Sequence, residues 1–220
     1  MKNEVIHQRI LNTKNDIFPL DKFFPINSAY TIFHNNYDKE ADKTTFLSNR
    51  KFLRLREGYY SIFVATAYSL ATEKEHFLCF PENTGNDVFI VELSKTEESK
   101  AYEFDVKEFT AHSTSFREFL IKSIFPRLDL NRYDLIIGLH IGVSPAEQDE
   151  IIEHLKMLNS KRMVYLVGVD IPGQESEDIC RVTALTCNGV VQNEVIDLRR
   201  HLSRLDPIIV FQDLVKFKKL

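Results

Sequence analysis

The sequence predicts an α/β sandwich around a mixed sheet, and three observations carry that prediction. A helical pattern over 44–74 precedes three runs of strand character, HFLCF (76–80), DVFIVEL (87–93) and AYEFDVKEFT (101–110). Two near-continuous apolar runs follow, YDLIIGLHIGV (133–143) and MVYLVGVD (163–170), as expected of strands covered on both faces. An amphipathic segment at 146–161 separates these two, so they form a β-α-β unit with parallel strands.

Taken in order, residues 1–43 form an N-terminal arm. Ile17, Phe18, Leu20, Phe23, Phe24 and Ile26 show no periodicity, and Pro19 and Pro25 break any helix there. HNNYDKEADKT (34–44) is a polar loop. The segment after it carries Phe46, Leu53 and Leu55, then apolar residues on all sides from Tyr59 to Leu70, and Gly58 ends or interrupts it. Strict alternation in the third strand places Glu103, Asp105 and Lys107 on one face and Tyr102, Phe104 and Val106 on the other. Ser115-x-x-Glu118 has capping-box form and opens a helix with Phe116, Phe119, Leu120 and Ile124 on its apolar stripe, which Pro126 stops. Ser144-Pro145 caps the next helix. CRVTALTC (180–187) reads as a strand or a helix end, and VVQNEVIDLRRHLSRL (190–205) as an amphipathic helix through Val191, Val195, Leu198 and Leu202. Pro207 starts a last apolar stretch. One domain over 1–220 is expected, with a core at 44–143 and a β-α-β extension at 144–220.

Composition narrows the function. With 44% apolar and 27% charged residues the chain supports an ordinary core, and no stretch approaches the ~20 apolar residues of a membrane span. MKNEVIHQRILNTKND lacks the apolar region of a signal peptide, so the expected location is cytoplasmic, with no membrane partner. A net charge of −4 disfavours a nonspecific nucleic-acid coat without excluding a local basic groove. Cys79, Cys180 and Cys187 show neither disulfide nor zinc spacing. No G-x-S-x-G, G-x-G-x-x-G or P-loop is present.

The strand pair around Asp87 and Asp105-Val106-Lys107 is the richest in chemistry. An acidic residue opens the second strand and an Asp-x-Lys lies in the third, so two carboxylates and an ammonium could converge at one end of a hairpin. Asp-x-Lys alone is a common pattern on the wet face of a strand. Its company decides its meaning, and the order helix, three strands, helix, strand resembles the PD-(D/E)XK nuclease superfamily over about residues 57–143. That resemblance implies a three-layer α/β/α sandwich with a restriction-endonuclease-like core. It implies a Mg²⁺-dependent nuclease, with Mn²⁺ able to substitute, hydrolysing DNA in a restriction or defence setting, with a homodimer as a common state. Asp87 and Asp105 would hold the metal together with the Val106 carbonyl, Lys107 would assist the water, and Glu57, or Glu73 or Glu75 in its place, would complete the catalytic set. The leading Pro-Asp of the family name is Asn86-Asp87 here, and the other Pro-acid pair, Pro81-Glu82, lies in the turn.

Ser113, Arg117 and Lys122 follow the third strand and are candidates for backbone contacts to nucleic acid, against an ordinary role in surface polarity and capping. His140 reads as a hydrogen-bonded histidine of a buried strand. The rival function is a non-catalytic nucleotide- or partner-binding module. Its anion site would lie at the helix start Gly142-Val143-Ser144-Pro145, where a plain helix cap is the competing explanation.

Overall fold

The computed structural model describes residues 8–10, 22–39, 52–80, 87–92, 99–110, 114–140, 142–168, 176–202, 208–211 and 217–219. Its elements, in chain order, begin with β1 (Gln8–Ile10), β2 (Lys22–Pro25), α1 (Ile26–Tyr37), α2 (Leu53–Thr72), β3 (His76–Cys79), β4 (Val88–Glu92) and β5 (Ser99–Phe109). Then come α3 (Phe116–Phe119), a π-helical turn (Leu120–Ile124), α4 (Phe125–Leu130), β6 (Asp134–Leu139), α5 (Pro145–Met157), β7 (Val164–Gly168), β8 (Ile179–Thr186) and β9 (Gly189–Asp197). The chain closes with α6 (Leu198–His201), β10 (Ile208–Phe211) and β11 (Phe217–Lys219). The fold is α/β, with helices layered on open, mixed β-structure. Among the described residues no helix is long and apolar enough to cross a membrane.

Contacts group the chain into two compact units, Met1–Glu103 with Arg199–Leu220, and Phe104–Leu198. In the first, β10 pairs with β1 and β2, β2 with β3, and β3 with β4, all antiparallel, and β11 lies parallel to β5 at Ser99–Ala101. Register places Phe23, Phe77, Cys79, Phe89 and Val91 on one face, where they form a buried cluster with Ala101. The opposite face, with Leu78 and His76, meets α2, whose Ser69 and Tyr68 touch His76. Leu55, Tyr60, Ile62, Phe63, Val64, Ala65 and Ala67 of α2 are all buried, as the all-round apolar pattern requires. Gly58 neither ends nor interrupts α2. An interior glycine costs ~1 kcal/mol, which the burial of its neighbours outweighs. Pro25 does not block helix formation in the N-terminal region but stands at the N-cap of α1, where its missing N–H matters little. The loop expected at 34–44 begins later, since His34–Tyr37 complete α1. Residues 40–51 lie outside the described residues.

The second unit runs β5, β6, β7 in parallel and then turns back through antiparallel β8 and β9. One face of this sheet carries Phe109, Leu135, Ile137, Leu139, Val164, Leu166 and Leu185. Phe116, Leu120, Ile124, Leu128, Ile151, Ile152 and Leu155 of the helices pack against it. The β6-α5-β7 crossover is as the sequence predicts. At the tip of β7 a Cβ on Gly168 would lie 2.8 Å from Leu139 Cβ, so the approach of β6 and β7 there requires glycine.

Two further predicted features are corrected. Pro126 does not stop the helix that Ser115 opens; helical structure continues to Leu130. The π turn ends just before α4, so Pro126 falls in the first turn of a new segment, where no backbone N–H is needed. Residues 190–205 are not one amphipathic helix. The first half of that stretch, to Asp197, is β9, paired with β8 across the two-residue connection Cys187-Asn188. The i, i+4 spacing of Val191 and Val195 suggests a helix, but β-branched residues after Asn-Gly form a hairpin.

Candidate active site

In the second unit, β5 carries Asp105, Lys107 and Phe109 on the face that the helices cover. Their partners across the ladder are Leu135, Ile137 and Leu139. This face is no solvated surface. Asp105 is only 3% exposed, and a carboxylate at such depth must be paired or hydrogen-bonded. Both its oxygens have partners. Lys107 Nζ donates to Oδ1 at 2.8 Å and to the Val106 carbonyl at 2.7 Å. Arg127 of α4 donates to Oδ2 through Nη1. The side chains of Lys107 and Arg127 are 23% and 42% exposed, so the buried carboxylate is fixed between one sheltered cation and one at the rim.

Arg127 is the member of this group that sequence reasoning misses. It lies 22 residues from Asp105, with no motif spacing to connect them, and beyond the proline that seemed to end the helix. The π turn sets the phase of α4, and π turns are often found at functional sites.

In the first unit, Glu57 is on α2 and Asp87 directly precedes β4. Arg54 joins them: its Nη1 lies 3.2 Å from Glu57 Oε2 and donates to the backbone carbonyl of Asp87 at 2.9 Å. Its guanidinium also lies over the Phe80 ring, 5.7 Å from the centroid. Glu73 and Glu75 are exposed at the opposite end of α2, with Glu73 as its left-handed C-cap. Asp87 and Glu57 thus share a neighbourhood, while Asp105, Val106, Lys107 and Arg127 share another in the second unit.

Ser115 caps α3 by accepting from the Glu118 N–H, but the Glu118 carboxylate pairs with Lys122 instead of completing the box. Arg117 pairs with Glu150 at 3.5 Å, and both Arg117 and Lys122 are exposed. Ser113 lies outside the described residues. His140 is hydrogen-bonded to Glu108 at 2.8 Å, on the face of β5 opposite Asp105.

The alternative anion site is a helix start that the chain caps itself. Glu147 closes a full capping box with Ser144, its Oε2 accepting from the Ser144 N–H and hydroxyl at 2.8 Å each. A carboxylate of the chain thus stands beside this helix start. The adjacent cleft, lined by Leu139, Val143, Leu166, Gly168, Arg181 and Thr183, has about 20 Å³ of space, roughly enough for one water.

The resemblance to nucleases raises the question of a metal. Among the described residues no group of three or more His, Cys, Asp or Glu is arranged to hold one. Asp105 Oδ1 and the Val106 carbonyl nevertheless converge on one positively charged nitrogen. Two hard oxygen donors around a cation are the chemistry Mg²⁺ uses, since it keeps several waters and takes only one or two carboxylates from the protein. The donor set fits to that extent. Comparison of the sequence with protein-family models and with curated proteins finds no match.

Proposed function

We propose that the chain is a metal-dependent hydrolase of phosphodiester bonds in DNA, centred on Asp105, Val106 and Lys107. The observation that carries this reading is the convergence of Asp105 Oδ1 and the Val106 carbonyl on Lys107 Nζ at 2.8 and 2.7 Å, on a strand whose side chain at Asp105 is buried. The surrounding elements support it. A helix precedes β3 and β4, which pair antiparallel, and helical segments separate the parallel pair β5 and β6.

Asp105 and the Val106 carbonyl would hold Mg²⁺ or Mn²⁺. When bound, such an ion polarises a phosphoryl oxygen and acidifies a bound water. Lys107 keeps an ammonium beside those two oxygens, where it can orient water and offset charge developing on phosphorus. The apolar helices over Leu135 and Ile137 lower the local dielectric and strengthen each of these interactions. The roles of Asp87 as a metal ligand and of Glu57 as a catalytic carboxylate rest on the resemblance alone.

A second reading is favoured by a specific observation: protein cations hold both oxygens of Asp105. A chain that kept the fold and lost the chemistry would hold its motif this way and act as a non-catalytic binding module. Plasmid nicking with Mg²⁺ or Mn²⁺ separates the two. The hydrolase predicts cleavage by the parent and loss of at least 100-fold in Asp105→Asn and Lys107→Ala, consistent with one electrostatic group worth ~10²–10³ in rate. Equal cleavage by all three, or none by the parent with either ion, ends the hydrolase reading. Asp87→Ala and Glu57→Ala in the same assay test the two carboxylates of the first unit.

A further inference from the structure

We propose that Arg127 is the phosphate-anchoring residue of this site, held in place by Asp105 and presenting its remaining donors to a backbone phosphate of the nucleic acid. The proposal rests on the nucleic-acid reading above and names a residue that the motif does not contain. Among the described residues the polar partner of Arg127 is Asp105, reached through Nη1. A guanidinium has five N–H donors in a rigid fork, so Nε and Nη2 are left for an oxyanion.

The side chain is 42% exposed while its anchor is almost wholly buried. This combination orients the guanidinium in advance without removing it from solvent, and less side-chain freedom is lost when a ligand binds. Lys107 is placed differently, turned inward onto Asp105 Oδ1 and the Val106 carbonyl. Arg117 and Lys122 also differ, because their partners Glu150 and Glu118 are themselves exposed and the pairs are ordinary surface ion pairs. Asp105 thus serves two neighbours at once, with Oδ1 facing the proposed ion position and Oδ2 holding Arg127.

The test is fluorescence anisotropy with a short end-labelled DNA, in EDTA and in Ca²⁺, across a salt series. Arg127→Ala is expected to weaken binding about tenfold and to lower the slope of log K against log salt by about one, as for loss of one phosphate contact. Arg127→Lys keeps a cation opposite Asp105 but loses the fork. It should melt like the parent and bind with intermediate affinity. Lys156→Ala, which removes an exposed cation paired with Glu153 on α5, should change affinity less than twofold. Binding and salt slope unchanged in Arg127→Ala, or no binding by the parent, overturns the proposal. Cleavage run on the same preparations keeps the two readings apart. Parent cleavage with an unchanged KM in Arg127→Ala sinks the anchoring role and leaves the hydrolase standing. Weakened binding in Arg127→Ala without parent cleavage supports the anchor and removes the hydrolase.

Discussion

Among the charged residues of β5, Asp105 is the buried one. Its carboxylate is buried, but both of its cationic partners reach solvent. The consequences of mutation are therefore asymmetric. In Asp105→Ala, Lys107 and Arg127 can turn toward water, so the cost is about 1–2 kcal/mol, below the ~3–5 kcal/mol typical of breaking a buried pair. Removing both cations, as in Lys107→Met with Arg127→Met, takes two charged partners from the buried carboxylate and should cost about 3 kcal/mol or more. Urea denaturation checks the order, and a double variant more stable than Asp105→Ala would contradict it. Alternation alone made the shared face of Asp105 and Lys107 legible in the sequence. Arg127 was not, because nothing local records which helical residue a strand residue will meet.

At the level of elements, the β8–β9 hairpin shows how local chemistry overrides a periodic pattern. Gly189 has φ 114°, a conformation that a residue with a Cβ rarely adopts. No atom lies within 4 Å of the position a Cβ would take there, so Gly189→Ala isolates backbone strain from packing. It should cost about 1–2 kcal/mol, read as a lower urea midpoint. The helix from Phe116 to Leu130 makes a similar point. Pro126 would break a continuous α-helix, yet the π turn before it starts a new segment that accepts proline in its first turn.

At the scale of the whole molecule, partly buried Asp134 and fully buried His76 give stability opposite pH dependences. Burial pushes the Asp134 carboxyl up to about 6, against its hydrogen bond from the Met163 N–H. The folded state therefore binds this proton more tightly than the unfolded chain. Its contribution is complete below about pH 4 and is lost as pH rises through about 6, on the order of 3 kcal/mol in total. His76 is held below its usual range by burial, opposed by the Lys74 carbonyl and Glu92. Here the unfolded chain binds the proton more tightly, so stability is present above about pH 6.5 and falls as the pH drops below it. Asp134 acts between about pH 4 and 6, and the His76 slope, which begins below about pH 6.5, opposes it where the two overlap. His76→Asn should expose the Asp134 slope, with stability falling as pH rises across that range. Asp134→Asn should expose the His76 slope and raise stability at pH 7.5, a gain that vanishes near pH 4. Urea midpoints across pH 4–8 read both, and parallel profiles for the parent and both variants would refute the assignment.

The sequence by itself determined the α/β class, the parallel β6-α5-β7 unit, the three strands after a buried helix, and the shared face of Asp105 and Lys107. Each of these follows from periodicity, caps or continuous apolar runs, which depend on residues close in the chain. The sequence also resolved Ser144 as a helix cap, but not that Glu147 closes a capping box with it. Tertiary structure alone decided that Pro126 lies within helical structure, and that Arg54 connects Glu57 to the backbone of Asp87. It alone buried Asp105 and brought Arg127 to it. These depend on which surfaces meet across long separations, and the free energy of burying a charge depends on every element packed around it, so no local pattern encodes them.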